Sequence, residues 1–566
     1  MRLNFPRSLP LSPLLALLFA SALAQAPAAG TAHPGLEPIL QYIASSWDTL
    51  TRSMNDCASV ADPKVTAPSI LYLPAKMPEP AAVQKMEQDC SVRVTHLPAE
   101  IHRLGEIDVN KVGPPGLLYL PEKYVVPGGR FNEMYGWDSY FIIRGLLRSG
   151  RLDLARGMVE NFFYEVENYG DLLNANRTYY LTRSQPPFLS SMVVEVYGAL
   201  RQADQADPRW LARAYDDIKK DYEMWNREPH LAGNTGLSRY YDFGEGPPPE
   251  ALKDESGTYR KVADYFFFHP AQADSYIVPG GQGQPRVGSL YSLQVCAAQA
   301  RDSECDPPRE FSLSADYYKG DRSMRESGFD VSFRFGPFGS ATHHYAPVCL
   351  NSLLYKTEKD LETISRWLGH DAEAATWRTR AEKRKEKIIQ FFWDGDSGMF
   401  FDFDFVNGRR SSYRYATTFY PLWAGLATPQ QAAAVRTNAR TFEKPGGLAM
   451  STEESGAQWD LPYGWANIEL LADEGLRRYG FNDDADRISY EFLSMVAENF
   501  RRDGNMREKY NVVTRSSEVH AEVGYHTNVV GFGWTNAAFV ELLNALPGKM
   551  ANQLARESDG APPAIR

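Results

Sequence analysis

The segment PGGRFNEMYGWDSYF, residues 127–141, places an arginine and two acids among flat aromatic rings. Arg130 offers a rigid fork of hydrogen-bond donors, and Trp137 is followed directly by Asp138, so that an apolar face lies beside an acceptor. The glycines of the segment let the backbone turn tightly and come close to a ligand. This mixture suits a pyranose sugar, because its hydroxyls need polar partners and its C–H face stacks on an aromatic ring. Taken alone, the segment also fits a loop that starts a helix, with Asp138 as the cap.

Two more segments carry groups of the same kind. The sequence LLNANRTYYLTRSQPPF contains Asn174, Arg183 and Gln185 ahead of two prolines. A loop that serves structure alone rarely needs so many amide and guanidinium groups. SGAQWDLPYGWAN contains Trp459 next to an aspartate, which gives a second stacking platform; core tryptophans beside a turn are the alternative.

The segments RESGFDVSFRF and NMREKYNVV each contain an acidic residue that could carry chemistry. Asp330 lies between two apolar residues, and an apolar setting would hold this carboxyl protonated as a general acid; a helix cap or an ion pair with Arg334 is the alternative. Glu508 lies beside Lys509, for which the alternative is an ordinary surface ion pair.

Helices must position these segments. In LDLARGMVENFFYEV the apolar residues recur at helical spacing and form one buried stripe. Similar segments recur along the chain, and pairs such as the two joined by RSGR predict antiparallel helical hairpins. No fixed sequence repeat favours a solenoid, so the pattern predicts an all-α toroid. One exception is GMFFDFDFVNGRR, in which alternation followed by Asn407–Gly408 predicts a small β-hairpin.

The overall charge argues against one large class of partner. The chain has 566 residues and a formal net charge of -11. Binding nucleic acid would need a basic patch that displaces condensed counterions, so nucleic acid is not expected as a partner. Aromatic residues make up 13% of the sequence, which fits either a large core or a cleft for sugar rings.

The N-terminus has the pattern of a secretory signal. Two arginines precede an apolar run, and Ala22 and Ala24 follow at the spacing of a signal-peptidase site, which predicts a signal peptide over residues 1–24. The apolar run is short for a membrane span, although an uncleaved anchor is an alternative, and no membrane association is expected after cleavage. Export predicts a periplasmic or secreted location and an oxidising environment.

Five cysteines bear on that environment. Proximity in the sequence predicts that Cys57 pairs with Cys90 and Cys296 with Cys305. Cys349 is then left as a buried free thiol.

Several of these segments together resemble the trehalases, the inverting glycoside hydrolases that cleave the α,α-1,1 bond of trehalose. PGGRFNEMYGWDSYF and QWDLPYGWAN resemble the two signature motifs of that family. NRTYYLTRSQPP, ESGFDVSFR, PVCLNSLLYKTE, EKYNV and GFGWTN also resemble trehalase segments and occur in the family's order. The resemblance runs from about Leu118 to Leu546, which is most of the chain.

The resemblance implies an (α/α)6 toroid that hydrolyses a small disaccharide, trehalose, to two glucose molecules. We expect an N-terminal arm over residues 25–113 packed on the main body, a catalytic domain over 114–548 and a flexible tail over 549–566. The general acid would be Asp330 and the general base Glu508. The residues that would contact sugar are Arg130, Trp137, Asp138, Asn174, Arg183, Ser184, Gln185, Glu250 and Gly328, with Trp459 as a further platform. No metal or organic cofactor is required, and we expect a monomer.

The sequence departs from the family pattern in its sugar-contacting segments. The family's usual Arg-Pro-Glu is PPPE here, so Glu250 remains but Pro248 replaces its arginine partner. The glycine-rich lid, which usually ends in Glu-Tyr, is replaced by SSEVHAEVGYHTNVV, with Tyr525 at the position of the glutamate. The second signature motif also has Tyr463 and Asn467 where the family usually has Asn and Pro. Two alternatives therefore stay open: an inverting hydrolase of the same fold that acts on another α-glucoside, and a sugar-binding protein without turnover.

Overall fold

The computed structural model describes residues 34–61, 68–250, 256–272, 275–280, 288–294, 307–525 and 527–559. The predicted signal peptide at residues 1–24 lies outside these ranges, and so do Cys296 and Cys305. No described helix has the length and apolar character needed to cross a membrane.

Helices dominate the described chain. In chain order they are α1 (Glu37–Thr49), α2 (Cys57–Val60), α3 (Ala81–Asp89), α4 (Gly136–Arg148), α5 (Leu152–Asn168), α6 (Leu189–Gln202), α7 (Pro208–Trp225), α8 (Ser256–Phe268), α9 (Ala315–Glu326), α10 (Val348–Trp367), α11 (Asp371–Phe392), α12 (Tyr420–Trp423), α13 (Pro429–Phe442), α14 (Ala466–Arg478), α15 (Asn482–Asp503), α16 (Gly533–Ala545) and α17 (Gly548–Ser558). Short 3-10 helices cover Pro34–Leu36, Val109–Lys111, Thr178–Tyr180, Gly233–Thr235, Pro270–Gln272, Pro337–Gly339, Thr342–His344 and Ala416–Phe419.

Six of these helices pack side by side in a closed inner ring. Their order around the ring is α4, α6, α10, α12, α14 and α16, and α16 packs back against α4. Each inner helix follows an outer helix in the chain, and the outer helices are α1, α5, α7, α11, α13 and α15. The predicted all-α toroid of helical hairpins is therefore confirmed.

The sequence pattern of α5 shows why the hairpins form. Leu154, Met158 and Phe162 recur at helical spacing and are buried, as the periodicity predicts. Between α4 and α5 the chain reverses through Gly150, whose φ of 71° is readily adopted only by glycine. An amphipathic helix and a tight turn thus stack each outer helix on its inner neighbours.

Helix α1 supplies the outer helix next to α16, although it lies within the range predicted as an N-terminal arm. It packs against α16, and the Trp47 indole is buried against α4, where a Cβ on Gly145 would lie 2.8 Å from its ring. The Trp47 Nε1 donates a hydrogen bond to the Ser149 Oγ at 3.0 Å. The first described helix therefore closes the outer ring, and the predicted boundary at residue 113 stays a prediction.

The strands are short and lie outside the helical rings. They are β1 (Thr51–Arg52), β2 (Ser69–Leu73), β3 (Val92–His96), β4 (Leu117–Leu118), β5 (Tyr124–Val125), β6 (Ile277–Pro279), β7 (Leu290–Leu293), β8 (Arg309–Leu313), β9 (Tyr345–Ala346), β10 (Trp393–Asp394), β11 (Met399–Phe400), β12 (Phe403–Asp404), β13 (Arg409–Arg410), β14 (Glu443–Lys444), β15 (Gly447–Leu448), β16 (Tyr463–Trp465) and β17 (Lys509–Asn511). The predicted hairpin is confirmed, because β12 pairs with β13 in antiparallel register, Phe403 opposite Arg410.

The remaining sheets were not predicted from the sequence. β2 pairs in parallel with β3 and β4, and β8 lies between β6 and β7. Strands of two to five residues are too short to show clear alternation. The pair that matters for the site is β16–β17, in which Trp465 lies opposite Lys509.

Two other sequence predictions can be compared with the structure. Cys57 and Cys90 form the predicted disulfide, and Cys349 is buried and free. The range predicted as a flexible tail, 549–566, is helical as far as Ser558, because α17 covers Gly548–Ser558 and buries Leu554. The structure differs from the prediction over these residues. Residues 560–566 lie outside the described chain.

Replacing Trp47 by alanine tests the closure of the outer ring. Truncation would leave a cavity against α4 and remove the partner of Ser149, so we expect the free energy of unfolding to fall by about 3–5 kcal/mol, measured by urea denaturation. The half-buried Trp393 provides the control, and its alanine variant should lose clearly less. Equal losses would show that α1 contributes no more than a surface contact.

Candidate active site

One cavity opens where the segments that precede the inner helices converge. Inner helices of successive hairpins run in the same direction, so the segments that lead into them meet at one end of the ring. The cavity is lined by Pro127, Arg130, Phe131, Glu133, Tyr135, Trp137, Asp138, Asn174, Tyr179, Tyr180, Arg183, Gln185, Glu250, Arg325, Gly328, Asp330, Trp459, Glu508, Tyr525, Phe532 and Trp534.

The structure brings the predicted site residues together, with one exception. Asp330, Glu508 and the predicted sugar-contacting residues line this cavity, but Ser184 does not. Ser184 is buried behind the wall, where its backbone N–H donates to the Glu326 Oε1 at 3.3 Å. Ser184 thus anchors the segment between Arg183 and Gln185 rather than facing the cavity. A sequence motif does not show which of its adjacent residues face the cavity, because that depends on the path of the backbone.

Glu508 is held by donors on both of its carboxylate oxygens. Its Oε1 accepts from the Tyr525 hydroxyl at 2.6 Å, and its Oε2 accepts from the Lys509 Nζ at 3.0 Å. Its backbone carbonyl accepts from the Trp534 Nε1 at 3.0 Å. The Glu508 residue is only 2% exposed and Lys509 1%, so this is not the surface ion pair that the sequence leaves open.

Lys509 is buried and packs against the partly exposed Tyr525. The Lys509 Nζ lies 4.2 Å from the centroid of the Tyr525 ring and 5.0 Å from that of Trp465. Burial lowers the pKa of Lys509, and the neighbouring Glu508 opposes that shift. Burial raises the pKa of Tyr525, and the charges of Glu508 and Asp330 act in the same direction, so the hydroxyl keeps its proton and donates.

Asp330 occupies a more open position than the sequence predicts. Its side chain is 27% exposed, and its Oδ2 lies 3.9 Å from the Arg325 Nη1. Its neighbours Phe329 and Val331 are buried, but the carboxyl does not share their apolar surroundings. The expected apolar setting is therefore wrong. The alternative of an ion pair with Arg334 is also wrong, because the Arg334 guanidinium is bound to Asp402.

The backbone around Asp330 is held from the second signature motif. The Gln458 Nε2 donates to the Asp330 carbonyl, and the Trp459 N–H donates to the Val331 carbonyl at 3.2 Å. These bonds fix the Asp330 segment relative to the loop that carries Trp459.

Asp138 is a buried carboxyl in the wall of the cavity. Burial raises the pKa of Asp138 well above its ordinary value, and the nearby charges of Glu508 and Asp330 raise it further. A protonated carboxyl donates a hydrogen bond, whereas the sequence suggested an acceptor. The same two charges act on Tyr525, so both carboxylates lie near Asp138 and Tyr525.

An arginine that sequence reasoning missed acts on Glu250, the residue whose usual arginine partner is replaced by Pro248. Arg183 is bound through its Nη2 to Glu250, and its Nη1 lies 3.4 Å from the Asp242 Oδ2. Burial opposes ionisation of Glu250, but Arg183 and Arg325 outweigh it and lower the pKa of Glu250. Arg325 thus brings a positive charge to Glu250 from helix α9. Arg325 begins the segment RESGFDVSFRF, five residues before Asp330, and this position was the sequence feature that could have pointed to it.

Aromatic rings form the floor of the cavity. The Trp137 centroid lies 5.7 Å from that of Trp459, and Trp459 stacks on Trp465 at 3.6 Å with an angle of 2° between the rings. Trp534, which was quoted in GFGWTN without a role, lies edge-on to both. Gly328 has a φ of 76°, and a Cβ there would lie 2.7 Å from the Trp137 ring. Glycine at 328 therefore lets the Asp330 loop pass over this floor.

The other missed lining residues add rings and one carboxylate. Glu133 is bound to Arg177, which holds the first signature motif against the asparagine-rich loop. Tyr135 and Tyr180 pack edge to face at 6.2 Å. These residues lie inside the motifs already singled out, so the sequence could have indicated them. It does not show that their side chains face the cavity.

The segment in place of the glycine-rich lid is tied to the body of the protein. The Gln458 N–H donates to the Val523 carbonyl at 3.2 Å. The Asn528 Nδ2 donates to the Ser517 carbonyl at 2.7 Å and to the Lys509 carbonyl at 2.9 Å. These bonds hold Tyr525 over the cavity, which is consistent with the prediction of a differently lined lid.

Comparison with known proteins identifies the family. The sequence profile of the trehalase family matches residues 30–277 and 309–547. The chain belongs to the trehalase family. Membership makes it a glycoside hydrolase and confirms the resemblance seen in the motifs.

Individual relatives cover most of the chain. A probable trehalase of Eremothecium gossypii is 36% identical in an alignment 555 positions long, which covers 87% of this chain and 70% of that protein. A cytosolic neutral trehalase of Saccharomyces cerevisiae is 36% identical in an alignment 576 positions long, which covers 91% of this chain and 72% of that protein. The structure of the neutral trehalase from Saccharomyces cerevisiae matches with a TM-score of 0.72 and 32% identity, covering 92% of this chain and 96% of the other.

The comparisons contradict the predicted location. Similar proteins from Saccharomyces cerevisiae, Emericella nidulans and Neurospora crassa are named cytosolic neutral trehalases. The prediction of a secretory signal and of a periplasmic or secreted protein is therefore wrong. The basis of that prediction was a short apolar run behind two arginines, which is a pattern of composition alone, and the run lies outside the described residues.

The protonated state of Asp138 predicts a pH-dependent difference in stability. The unfolded chain releases this proton near pH 3.8 while the folded chain keeps it, so the stability that Asp138 contributes is complete below pH 3.8 and is lost as the pH rises toward the folded pKa. Each unit by which the folded pKa exceeds the unfolded one corresponds to about 1.4 kcal/mol. We expect Asp138→Asn to gain stability relative to the wild type as the pH rises from 4 to 8, measured by denaturant unfolding.

Asp216→Asn is the control, because Asp216 lies on the solvent-exposed side of α7. Its difference from the wild type should stay flat over the same pH range. A flat difference for Asp138→Asn as well would show that Asp138 is ionised in the folded protein.

Proposed function

We propose that this chain hydrolyses the α,α-1,1 bond of trehalose to two glucose molecules with inversion of configuration, with Asp330 as general acid and Glu508 as general base. The observation that carries the proposal is that two carboxyl groups in different settings line one cavity with sugar-binding side chains. Family membership and the names of the relatives support the substrate.

The two carboxyl groups differ in a way that fits these roles. Glu508 is buried and accepts hydrogen bonds on both oxygens, which is the arrangement of a carboxylate that can take a proton from water. Asp330 is more exposed and lies at the guanidinium side of the cavity. In an inverting hydrolase the acid protonates the bridging oxygen while the base activates water on the opposite face, with the carboxyls about 6.5–9.5 Å apart.

The remaining lining residues suit the two sugar rings. Arg130, Arg183 and Arg325 provide fixed donors for hydroxyl groups, and protonated Asp138 adds another. The floor of Trp137 and Trp459 provides apolar faces. No step in this mechanism needs a cofactor, because protons move only between the two carboxyls, water and the sugar oxygens.

Replacing Glu508 by glutamine tests the base. The amide keeps the shape but cannot take a proton, so we expect turnover of trehalose to fall by roughly 10²–10⁴-fold. NMR of the anomeric signals during the first minutes should show equal α- and β-glucose with the wild type, and no product with Glu508→Gln.

Glu518→Gln provides a matched control, because Glu518 is an exposed glutamate ten residues further along the chain. Its activity should match that of the wild type. Near-normal turnover by a folded Glu508→Gln variant would refute the assignment of the base.

Removing the Tyr525 hydroxyl tests how Glu508 is positioned. Tyr525→Phe keeps the ring over Lys509 but deletes the donor to the Glu508 Oε1, and hydrogen bonds to charged groups contribute about 1.5–3 kcal/mol. We expect kcat to fall by roughly 10–100-fold with KM nearly unchanged. A change confined to KM would mean that Tyr525 contacts the sugar rather than orienting the base.

A second candidate is hydrolysis of another α-glucoside by the same machinery. Pro248 in place of the family's arginine favours this candidate, because one expected sugar contact is absent from its usual position. Product from a panel of α-glucosides, but not from trehalose, would select it. Sugar binding without any product would instead indicate a binding protein without turnover.

A further inference from the structure

Two histidines and one aspartate form a cluster outside the candidate active site. The His343 Nε2 lies 2.9 Å from the Asp316 Oδ1, and the His344 Nε2 lies 3.8 Å from the same oxygen. One ligand atom from each of the three residues lies within 4.8 Å of the other two. None of the three residues lines the cavity described above.

The fold presents these side chains from two separate elements. Asp316 is in the first turn of α9, whose N-cap is Ser314, and the histidines end the 3-10 helix Thr342–His344 just before β9. His343 is buried, while Asp316 and His344 are partly exposed. The cluster therefore combines a fixed buried imidazole with two side chains that a solvent ion can reach.

We propose that Asp316, His343 and His344 form a binding site for a divalent transition-metal ion, with Zn²⁺ as the best-fitting case. Two imidazole nitrogens and one carboxylate oxygen are a donor set that Zn²⁺ uses, with a fourth position left for water. Ligands at about 2.0–2.1 Å from a tetrahedral ion are about 3.3 Å apart, and the distances of 2.9 and 3.8 Å from Asp316 lie within about half an ångström of that spacing. The ligand atoms of all three residues lie within 4.8 Å of one another, so the two histidines must move closer together by up to about 1.5 Å.

The Asp316 carboxylate is the negative charge in direct reach of the two imidazoles. Asp404 and Arg239 also act on His344, and the Arg409 Nε lies 3.8 Å from the Asp404 Oδ2, so these surrounding charges largely balance one another. Arg239 is occupied elsewhere, because its Nη1 donates to the His343 carbonyl and its Nε to the Pro229 carbonyl. The Asp404 Oδ1 accepts from the Asn407 N–H, so Asp404 contributes charge from a fixed turn.

The hydrogen bonds already present do not fix His343 against metal binding. Its Nε2 is paired with Asp316, and its Nδ1 has no hydrogen-bond partner among the described residues. A metal at Nε2 would displace a proton from that nitrogen and leave the ring proton on Nδ1. No other contact in the described chain selects the opposite tautomer.

The site would act on structure rather than on the reacting bond. Asp316 and Arg325 lie nine positions apart on α9, which is about 13–14 Å along the helix axis. A bound ion would tie the start of α9 to the segment that leads into β9 and α10. An ion that binds the folded chain and not the unfolded one raises the melting temperature, and the rise grows with the logarithm of the free ion concentration once that exceeds the dissociation constant.

Metal binding is measured on tag-free full-length protein stripped with a chelator. Titration with Zn²⁺ by calorimetry, and with Co²⁺ by visible absorption, should give one ion per chain for the wild type, and Tm should rise with added Zn²⁺. His344→Ala should weaken binding at least tenfold and abolish the rise in Tm. The matched control is His370→Ala, which removes a half-exposed histidine elsewhere and should bind like the wild type.

Asp316→Asn guards against a variant that fails to fold. It keeps the shape of the side chain but removes a charged ligand, so it should also weaken binding, while its circular dichroism and metal-free Tm stay close to those of the wild type. Equal affinity for Zn²⁺ in the wild type, His344→Ala and Asp316→Asn would overturn the proposal, and so would the absence of any stoichiometric binding to the wild type. Neither result depends on hydrolysis of trehalose, so the proposed function is tested separately.

Discussion

The burial of the Glu508 carboxylate is the constraint around which the site is built. An ionised carboxyl that is removed from water costs several kcal/mol unless donors replace the lost hydration. Two residues supply these donors. Lys509, the next residue in the chain and the first of strand β17, donates to one oxygen, and Tyr525 donates to the other oxygen from the lid. Three features then hold Glu508 in place: the β16–β17 pair, the tied lid, and the hydrogen bond from Trp534 at the start of α16.

The same constraint explains why Asp138 and Asp330 differ from Glu508. A third charge could not be buried beside two others without a partner, and Asp138 therefore keeps its proton. Asp330 stays partly open to solvent and faces Arg325. Asp138, Asp330 and Glu508, three of the carboxyl groups that line the cavity, thus differ in their surroundings rather than in their chemistry.

The helices and the membership of the site could be predicted from the sequence because both are local signals. The periodicity of α5 and the motif around Trp137 need only neighbouring residues to be recognised. The position of Ser184 behind the wall and the approach of Arg325 to Glu250 depend on how distant segments pack, and no local pattern encodes that. In the sequence, Pro248 in place of the family's arginine indicates a missing contact. In the structure, Arg325 on α9 brings a guanidinium charge to Glu250.

The packing of α1 against α16 has a consequence for how the chain is made on the ribosome. Helix α1 ends at Thr49 and its partner begins at Gly533, so the two are separated by almost the whole length of synthesis. At roughly 5–20 residues per second, the apolar face of α1 waits about 25–100 s for the surface that covers it. During that interval the nascent chain exposes the face of α1 that α16 covers to chaperones and proteases, and the ring can close only after translation is nearly complete.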